Sequence, residues 1–379
     1  MTDLPPLESL IEIQGRQYKL SSQCHLEQYQ IQMNVWRDGQ LISEQVVDYP
    51  EQLNAVALEK FFQSTHRQRL VEMESIFRLS ARVNENPTAD ACVKMGVIFL
   101  ANDFYEDARY KFLKSIEIDP KSPAALKNYG IALTLLNDFD GAVAALNQAI
   151  ELGSSFADLY YHLANVHLYR QELDAAIHGY LKALEINPRY ADAHLKLAVT
   201  CISYIVQAGN LLDAGKMQEL LERAKFETET AASLNPKIRN RSFLIAQEYL
   251  KNKKFQNCFQ ELMKTRPRYV PRIGDEIIFF FILTLLYGNE GIDVQMTEQY
   301  IEKLEKVISE YPHYADLRHH LAVAYLIKSR FDVHRSIREL KKSIDVNPQF
   351  QKAIIQIPEL ESLHKQLLLT IRNMMNFKL

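Results

Sequence analysis

Small residues recur in this chain at a fixed step. Gly96, Gly130, Ala164 and Ala198 follow one another at intervals of 34 (130 − 96), and so do Ala108, Ala142 and Ala176. A series of large residues, Phe112, Leu146 and Tyr180, keeps the same interval. Prolines close two of the units at Pro120 and Pro188, with Ser154 where another would fall. A fixed period of this length marks a chain of stacked supersecondary units, none of which can bury its apolar face alone. Each unit has room for two helices of about 12 to 15 residues and a short turn. The small residue lets the second helix approach the first closely. The large one fills the space between a unit and its neighbour. Proline stops the second helix, because it lacks an N–H and clashes with the preceding turn. Ser122 is placed to cap the next helix, and Pro123 suits its first position. This junction explains why IEIDPKSPAALKNYG at 116–130 returns almost unchanged as LEINPRYADAHLKLA at 184–198.

At these residues the chain resembles the tetratricopeptide repeat (TPR) family. Residues 89–122 carry Met95, Gly96, Phe99, Ala108, Phe112, Ser115 and Pro120 at the family's patterned positions. Residues 157–190 carry Tyr160, Leu163, Ala164, Ala176, Tyr180, Ala183 and Pro188. Residues 123–156 match less fully, with Gly130, Ala142, Leu146 and Ala149. The pattern then loosens. A fourth unit over 191–238 closes late, at Pro236, so its helices are extended or a loop projects near 203–219. Further hairpins are expected over 239–270, 274–312 and 315–348, giving a mainly α solenoid of about seven hairpins across 89–348. Residues 349–379 read as a C-terminal capping helix whose Ile354, Ile355, Ile357, Leu360, Leu363 and Leu367 cover the last repeat, with Pro358 as a potential break.

Residues 1–86 do not repeat. Tyr29, Ile31, Met33 and Val35 alternate with polar residues, as a half-buried strand does. Asp38-Gly39 follows as the centre of a tight hairpin turn, and Gly15 marks another. An antiparallel β meander over 1–50 is expected. From 51 to 86 the period becomes helical, as one connecting helix or two, so the N-terminal part is a small α+β domain. It is expected to cap the first repeat, or else to bind or dimerise.

The composition excludes several classes. The chain has 379 residues, 47% hydrophobic and 24% charged, with a formal net charge of -3. That suits a folded protein rather than a disordered one. Cys24, Cys92, Cys201 and Cys258 form no C-x-x-C pair, which points away from a zinc site or a disulfide framework and towards a reducing, cytoplasmic setting. The start lacks a basic region followed by an apolar stretch, so no signal peptide is expected. The longest apolar run, IIFFFILTLLY at 277–287, reaches about 16 Å as a helix, half a bilayer core, and reads as a buried helix rather than a membrane span. No phosphate-binding glycine loop, H-E-x-x-H or G-x-S-x-G elbow is present. A non-enzymatic protein with no cofactor or metal is expected.

The TPR resemblance implies a concave face lined by the first helix of each unit. Carried over residue by residue, that face holds Val93, Val97 and Leu100, then Lys127 and Ile131, then Tyr161, Asn165 and Leu168, then Leu195, Val199 and Ile202. The family's carboxylate clamp for peptide C-termini is not expected, since Val93 and Val97 stand in its first two donor places and Asp158 and His162 in its last. Asn128 alone matches. A largely apolar groove suits an amphipathic helix or apolar peptide, so a protein partner is expected. The chain's own segment or a second copy is an equal occupant, because exposed apolar surface must be covered. Residues 237–273 hold ten basic residues against Glu248 and Glu261, a local +8. Lys237, Arg239, Arg241, Lys251, Lys253, Lys254, Arg266 and Arg268 are the core of this candidate basic patch for nucleic acid or an acidic protein. Nucleic acid is the less favoured partner, because the nearby aromatics fall at repeat core positions. Charge asymmetry also allows a homo-oligomeric scaffold.

Overall fold

The structure is a computed structural model that describes residues 4–13, 15–153, 156–265, 275–287, 294–310, 315–346, 348–349 and 351–374. Backbone contacts divide the chain into two compact units, residues 1–77 with 86–270, and residues 78–85 with 271–379.

The first unit opens with a four-stranded antiparallel meander, β1 (Leu7–Ile13), β2 (Arg16–His25), β3 (Gln30–Arg37) and β4 (Gln40–Asp48), paired in chain order. Asp38 (φ 49) and Gly39 (φ 82) make the left-handed turn that the Asp-Gly pair predicts. Ile31, Met33 and Val35 alternate as expected and are buried on the inner face with Leu20, whereas Tyr29 precedes the strand, left-handed (φ 53) and exposed. The inner face packs on α1 (Ala55–Glu85), a single helix capped by Asn54. His66 of that helix holds Ser9 Oγ of β1 at 2.9 Å and Ser22 Oγ of β2 at 2.7 Å.

Five helical hairpins come next. They are α2 (Ala89–Ala101) with α3 (Tyr105–Ile118), α4 (Pro123–Leu135) with α5 (Phe139–Glu151), and α6 (Ala157–Tyr169) with α7 (Leu173–Ile186). After these come α8 (Ala191–Ala208) with α9 (Ala214–Leu234), and α10 (Arg241–Lys251) with α11 (Phe255–Thr265). Ser122 caps α4 by accepting from the Ala125 N–H, with Pro123 at the first helical position. The small-to-large fit is literal. A Cβ on Gly96 would run into the Phe112 ring, and one on Gly130 would lie 2.7 Å from Leu146 Cγ. Where Ala164 takes the small position, Gly179 on the facing helix supplies the room; a Cβ there would be 2.8 Å from Ala164 Cβ.

The turns inside the hairpins share one geometry. Asp103, Asn137, Gln171 and Lys253 all have φ between 56 and 64. The next N–H after each reaches five residues back: Phe104 to Phe99, Asp138 to Leu133 and Glu172 to His167 at 2.9 Å, and Lys254 to Tyr249 at 2.8 Å. This is the 6→1 closure of a helix that ends on a left-handed residue. The fourth unit departs from it. There α8 runs 18 residues and α9 runs 21, joined by a short 3-10 turn at Gly209–Leu211. The late closing proline therefore reflects two lengthened helices.

The sheet is fixed to the first hairpin by buried polar contacts. Arg69 of α1 donates to Asn102 Oδ1 at 2.8 Å and to the Asn102 carbonyl at 3.0 Å, and its guanidinium lies 5.1 Å from the Phe104 ring centroid. Arg37 of β3 pairs with Asp107 of α3 at 2.5 Å. Tyr18, Phe77, Phe99 and Phe104 form a continuous cluster of tilted aromatic rings through the same joint.

In the second unit α12 (Asp275–Tyr287) takes the apolar run and α13 (Val294–Glu310) comes after it, where a sixth hairpin is expected. Phe281 and Tyr300 stack face to face across them, centroids 3.7 Å apart. The seventh hairpin, expected over 315–348, is instead one helix, α14 (Ala315–Val346). No Gly, Pro or Asn interrupts residues 315–346, so nothing stops the helix midway. Its antiparallel partner is α15 (Gln351–Met374), joined to it by Lys341–Glu361 at 3.0 Å and by Arg330 to His364 at 3.2 Å. Pro358 sits within α15 without dividing it. Of the residues expected to cover the last repeat, Ile357, Leu360 and Leu367 are half-buried and Ile354, Ile355 and Leu363 exposed, while Ile371 is buried in one apolar cluster with Leu317 and Val323 of α14. No described helix is long and apolar enough to cross a membrane.

Two outcomes test this packing. Gly130→Val should cost about 1–3 kcal/mol, read from chemical unfolding, since its Cβ must displace Leu146 or the Ala142 carbonyl 3.3 Å away; Leu146→Ala should recover part of that loss in the double variant. Burial holds the His66 imidazole below its ordinary 6.5. The unfolded chain then takes up this proton first, so stability should fall as pH drops through 6.5, and His66→Gln should flatten that part of the profile.

Candidate partner-binding face

The residues assigned to the inner face are brought together, but most are not open. Val97, Leu100, Ile131, Asn165, Leu168, Leu195, Val199 and Ile202 are buried, while Val93, Lys127 and Tyr161 are half-buried. The expected open apolar groove is thus corrected along much of its length. Successive first helices touch one another, α2 with α4, α4 with α6, and α6 with α8. Towards its end the face is filled by the chain itself. Helix α11 lies on α8, and Leu195, Val199 and Ile202 share one apolar cluster with Cys258 and Leu262 of α11.

The polar groups of the face are largely committed to one another. Lys127 Nζ lies 2.7 Å from Asp158 Oδ2, tying the second unit to the third. Burial alone would raise the Asp158 carboxyl, but the Lys127 ammonium and its hydrogen bond outweigh it and hold the carboxyl below its ordinary value. Burial, helped by the same ammonium, pushes the His162 imidazole down. Asn165 Oδ1 accepts from the buried Tyr180 hydroxyl at 2.7 Å. The Asn128 amide donates to the Ala124 carbonyl of its own helix at 2.9 Å, so it is not aimed at a ligand. Tyr161 packs on Tyr190 and Tyr180, ring centroids 4.9 and 6.0 Å away. What is only half-buried is a strip across the first three repeats: Val93, Lys127, Asp158, Tyr161 and His162.

The candidate basic patch separates into two groups. Lys237, Arg239 and Arg241 are exposed before and at the start of α10; Lys251, Lys253 and Lys254 are exposed at its far end and in the following turn. The groups sit towards opposite ends of the eleven-residue α10, which is about 16 Å long. Arg266 and Arg268 fall outside the described residues.

Spacing alone does not reveal two contacts. His194 Nδ1 meets Glu227 Oε2 at 2.5 Å, and its Nε2 meets the Pro188 carbonyl at 2.9 Å. Both ring nitrogens thus face oxygen, and the pair pins α8 to α9 across 33 residues of sequence. All four cysteines are buried and free. Burial pushes the Cys201 and Cys258 thiols up to about 12, so neither is poised as a nucleophile. Among the described residues, no group of His, Cys, Asp and Glu is gathered that could hold a metal ion.

Stacked hairpins with a 34-residue small-to-large fit and a first-helix inner face define a helical repeat protein. A family model described as TPR repeat matches residues 130–169 and 165–200, and this stretch of the chain is TPR repeat. A search of curated proteins finds no match. Among solved structures, the chain is similar to MamA, at 22% identity over 42% of this chain and 88% of that one, with a TM-score of 0.31. It is also similar to YrrB, titled a TPR protein with an unusual peptide-binding site, at 15% identity over 50% and 92%, TM-score 0.34. A third is PilF of Pseudomonas aeruginosa, at 16% identity over 62% and 96%, TM-score 0.36.

Because Val199 is a core residue here, Val199→Glu should destabilise the first unit by about 3 kcal/mol or more rather than act as a surface variant. Circular dichroism during chemical unfolding reads the difference; Tyr161→Ser, at the accessible strip, should shift the midpoint far less.

Proposed function

We propose that this chain is a protein-interaction adaptor, a binding protein rather than an enzyme, acting through the accessible strip of its first three repeats. The carrying observation is the division of the inner face. Its later part is buried, with α11 lying on α8, whereas Val93, Lys127, Asp158, Tyr161 and His162 are only half-buried on adjacent first helices. A partner there meets an aromatic ring, an aliphatic side chain and an ion pair. That combination suits a protein segment with apolar and polar side chains in turn, and Tyr161 is the natural anchor. The apolar amphipathic-helix partner expected from the full groove fits less well, since Leu195, Val199 and Ile202 are occupied from within. The four free thiols suit residence in a reducing compartment, and we place the protein in the cytoplasm.

The test is an affinity purification from native extract with quantitative mass spectrometry, comparing the intact chain with Tyr161→Ser combined with Lys127→Glu. Circular dichroism must first report unchanged helicity. Specific partners should then fall at least about tenfold in recovery. An unchanged partner set would remove the strip as the site.

A further inference from the structure

The N-terminal sheet carries a second surface, built from backbone rather than from helix faces. Strand β1 pairs with β2, and no described strand lies on its other side. The direction of its backbone groups comes from the register. The Gln17 carbonyl accepts from the Asp38 N–H at 3.1 Å, so Gln17 turns its polar groups towards β3. Glu12, which sits opposite Gln17, therefore turns its own N–H and C=O outwards. With the alternation of an antiparallel ladder, Glu8 and Leu10 do the same. Three successive outward-turned residues thus offer three donors and three acceptors at an open edge, the arrangement that templates an added strand.

The side chains at this edge select what pairs with it. Leu10 is 74% exposed, with Glu8 and Glu12 exposed on either side of it on the same face. Leu10 stands in a cross-strand row with Lys19, Trp36 and Leu41. Beside it lies a shallow hollow of about 440 Å³ between Leu10, Lys19 and Trp36. Across the outward face Glu8, Glu12, Glu44 and Asp48 outnumber Lys19, which itself pairs with Glu8 at 2.7 Å. A second copy of β1 is a poor occupant. Antiparallel pairing centred on Leu10 sets Glu8 against Glu12 of the other copy twice over, and directly opposed like charges destabilise a sheet.

We propose that the outer edge of β1 takes an extended peptide of another protein as a fifth, antiparallel strand, with basic residues two positions on either side of an apolar one. The basic side chains pair with Glu12 and Glu8. The central apolar side chain packs on Leu10 and enters the hollow by Trp36. The peptide's three side chains on this face belong to the residues whose amides bond to the edge. This site is separate from the strip on the repeats, and the loss of either leaves the other to be judged alone.

The probe is the synthetic peptide Thr-Arg-Thr-Val-Thr-Lys-Thr, titrated into the full chain. Trp36 is the only tryptophan of the chain, so its fluorescence reports events beside Leu10 directly. The proposal expects a saturable change. Affinity should fall about tenfold or more in Glu8→Lys with Glu12→Lys, and also when Arg and Lys of the peptide are replaced by Glu. N-methylation of the Arg, Val and Lys amides should abolish binding, whereas N-methylation of the Thr amides at the third and fifth positions should leave it within about twofold. No saturable change up to about 1 mM peptide would overturn the proposal and leave the two glutamates as guards against strand addition. Binding indifferent to which amides are methylated would overturn it equally, since ladder formation is its core.

Discussion

The close approach of paired helices in each repeat is the constraint on which the rest of the first unit depends. It is set by two positions, not one. When the first helix offers glycine, as at Gly96 and Gly130, the second helix presses Phe112 or Leu146 onto the bare backbone. When it offers Ala164, the second helix must supply Gly179 instead. Bulk at the crossing shifts between the two helices from one repeat to the next, within an interior packed to crystal-like density. The same crossing leaves little room for solvent. Lys111 stands in α3 at the place that Gly179 takes in α7, two periods earlier. It is 1% exposed, and burial brings its pKa down to about 8.

Breaking the repeat, as the fourth unit does, changes both the turn and the face beside it. The first three hairpins and the fifth reverse direction on a left-handed residue and a 6→1 bond. The fourth reverses through a 3-10 turn after an extra turn of α8. Lengthening α8 adds Ile205 to the apolar ridge that Leu195, Val199 and Ile202 begin, and α11 lies against it. A face of that length and hydrophobicity cannot stay bare in water, at roughly 25 cal/mol for each Å² left exposed. Closing it from within stabilises the fold and confines the accessible part of the inner face to the regular repeats. The irregular repeat and the position of the open strip are two aspects of one packing solution.

Much of this architecture is legible in local chemistry. The period comes from Gly96, Phe112 and their counterparts, because a small-to-large fit needs fixed residue types at fixed places. The meander comes from alternation and Asp38-Gly39, and the Ser122-Pro123 start of α4 from capping. The hairpin turns are not legible in the same way. Asp103 and Asn137 are natural left-handed residues, but Gln171 and Lys253 adopt that conformation because the packed helices on both sides impose it. The unbroken α14 escapes a reading by period, because the repeat extends only as far as the residues that support it. Three of the site assignments, Leu195, Val199 and Ile202, fail for a related reason. Whether Leu195 is a groove residue or a core residue depends on where α11 lands some sixty positions later, and no local pattern encodes that. The Arg69–Asn102 and His194–Glu227 contacts, each bridging more than thirty residues, are invisible on the same ground.

The two surfaces left open differ in what they ask of a partner. A helix satisfies its backbone internally, so a repeat array recognises others with side chains alone, and its selectivity depends on rotamers and on ion pairs such as Lys127–Asp158. An edge strand has backbone to offer. Its hydrogen bonds are indifferent to sequence, so selectivity must come from the few side chains beside them. Here those are Glu8, Leu10 and Glu12, an acid, an apolar residue and an acid at the spacing of a strand's single face. The rigid joint through Arg69, Phe104 and the Arg37–Asp107 pair fixes this edge to the first hairpin. Two partner segments bound at the edge and on the strip would therefore be held at a set separation, and a linker between them that spans it gains effective concentration at the second site. An adaptor of the proposed design would discriminate by the spacing between two short segments as well as by their sequences.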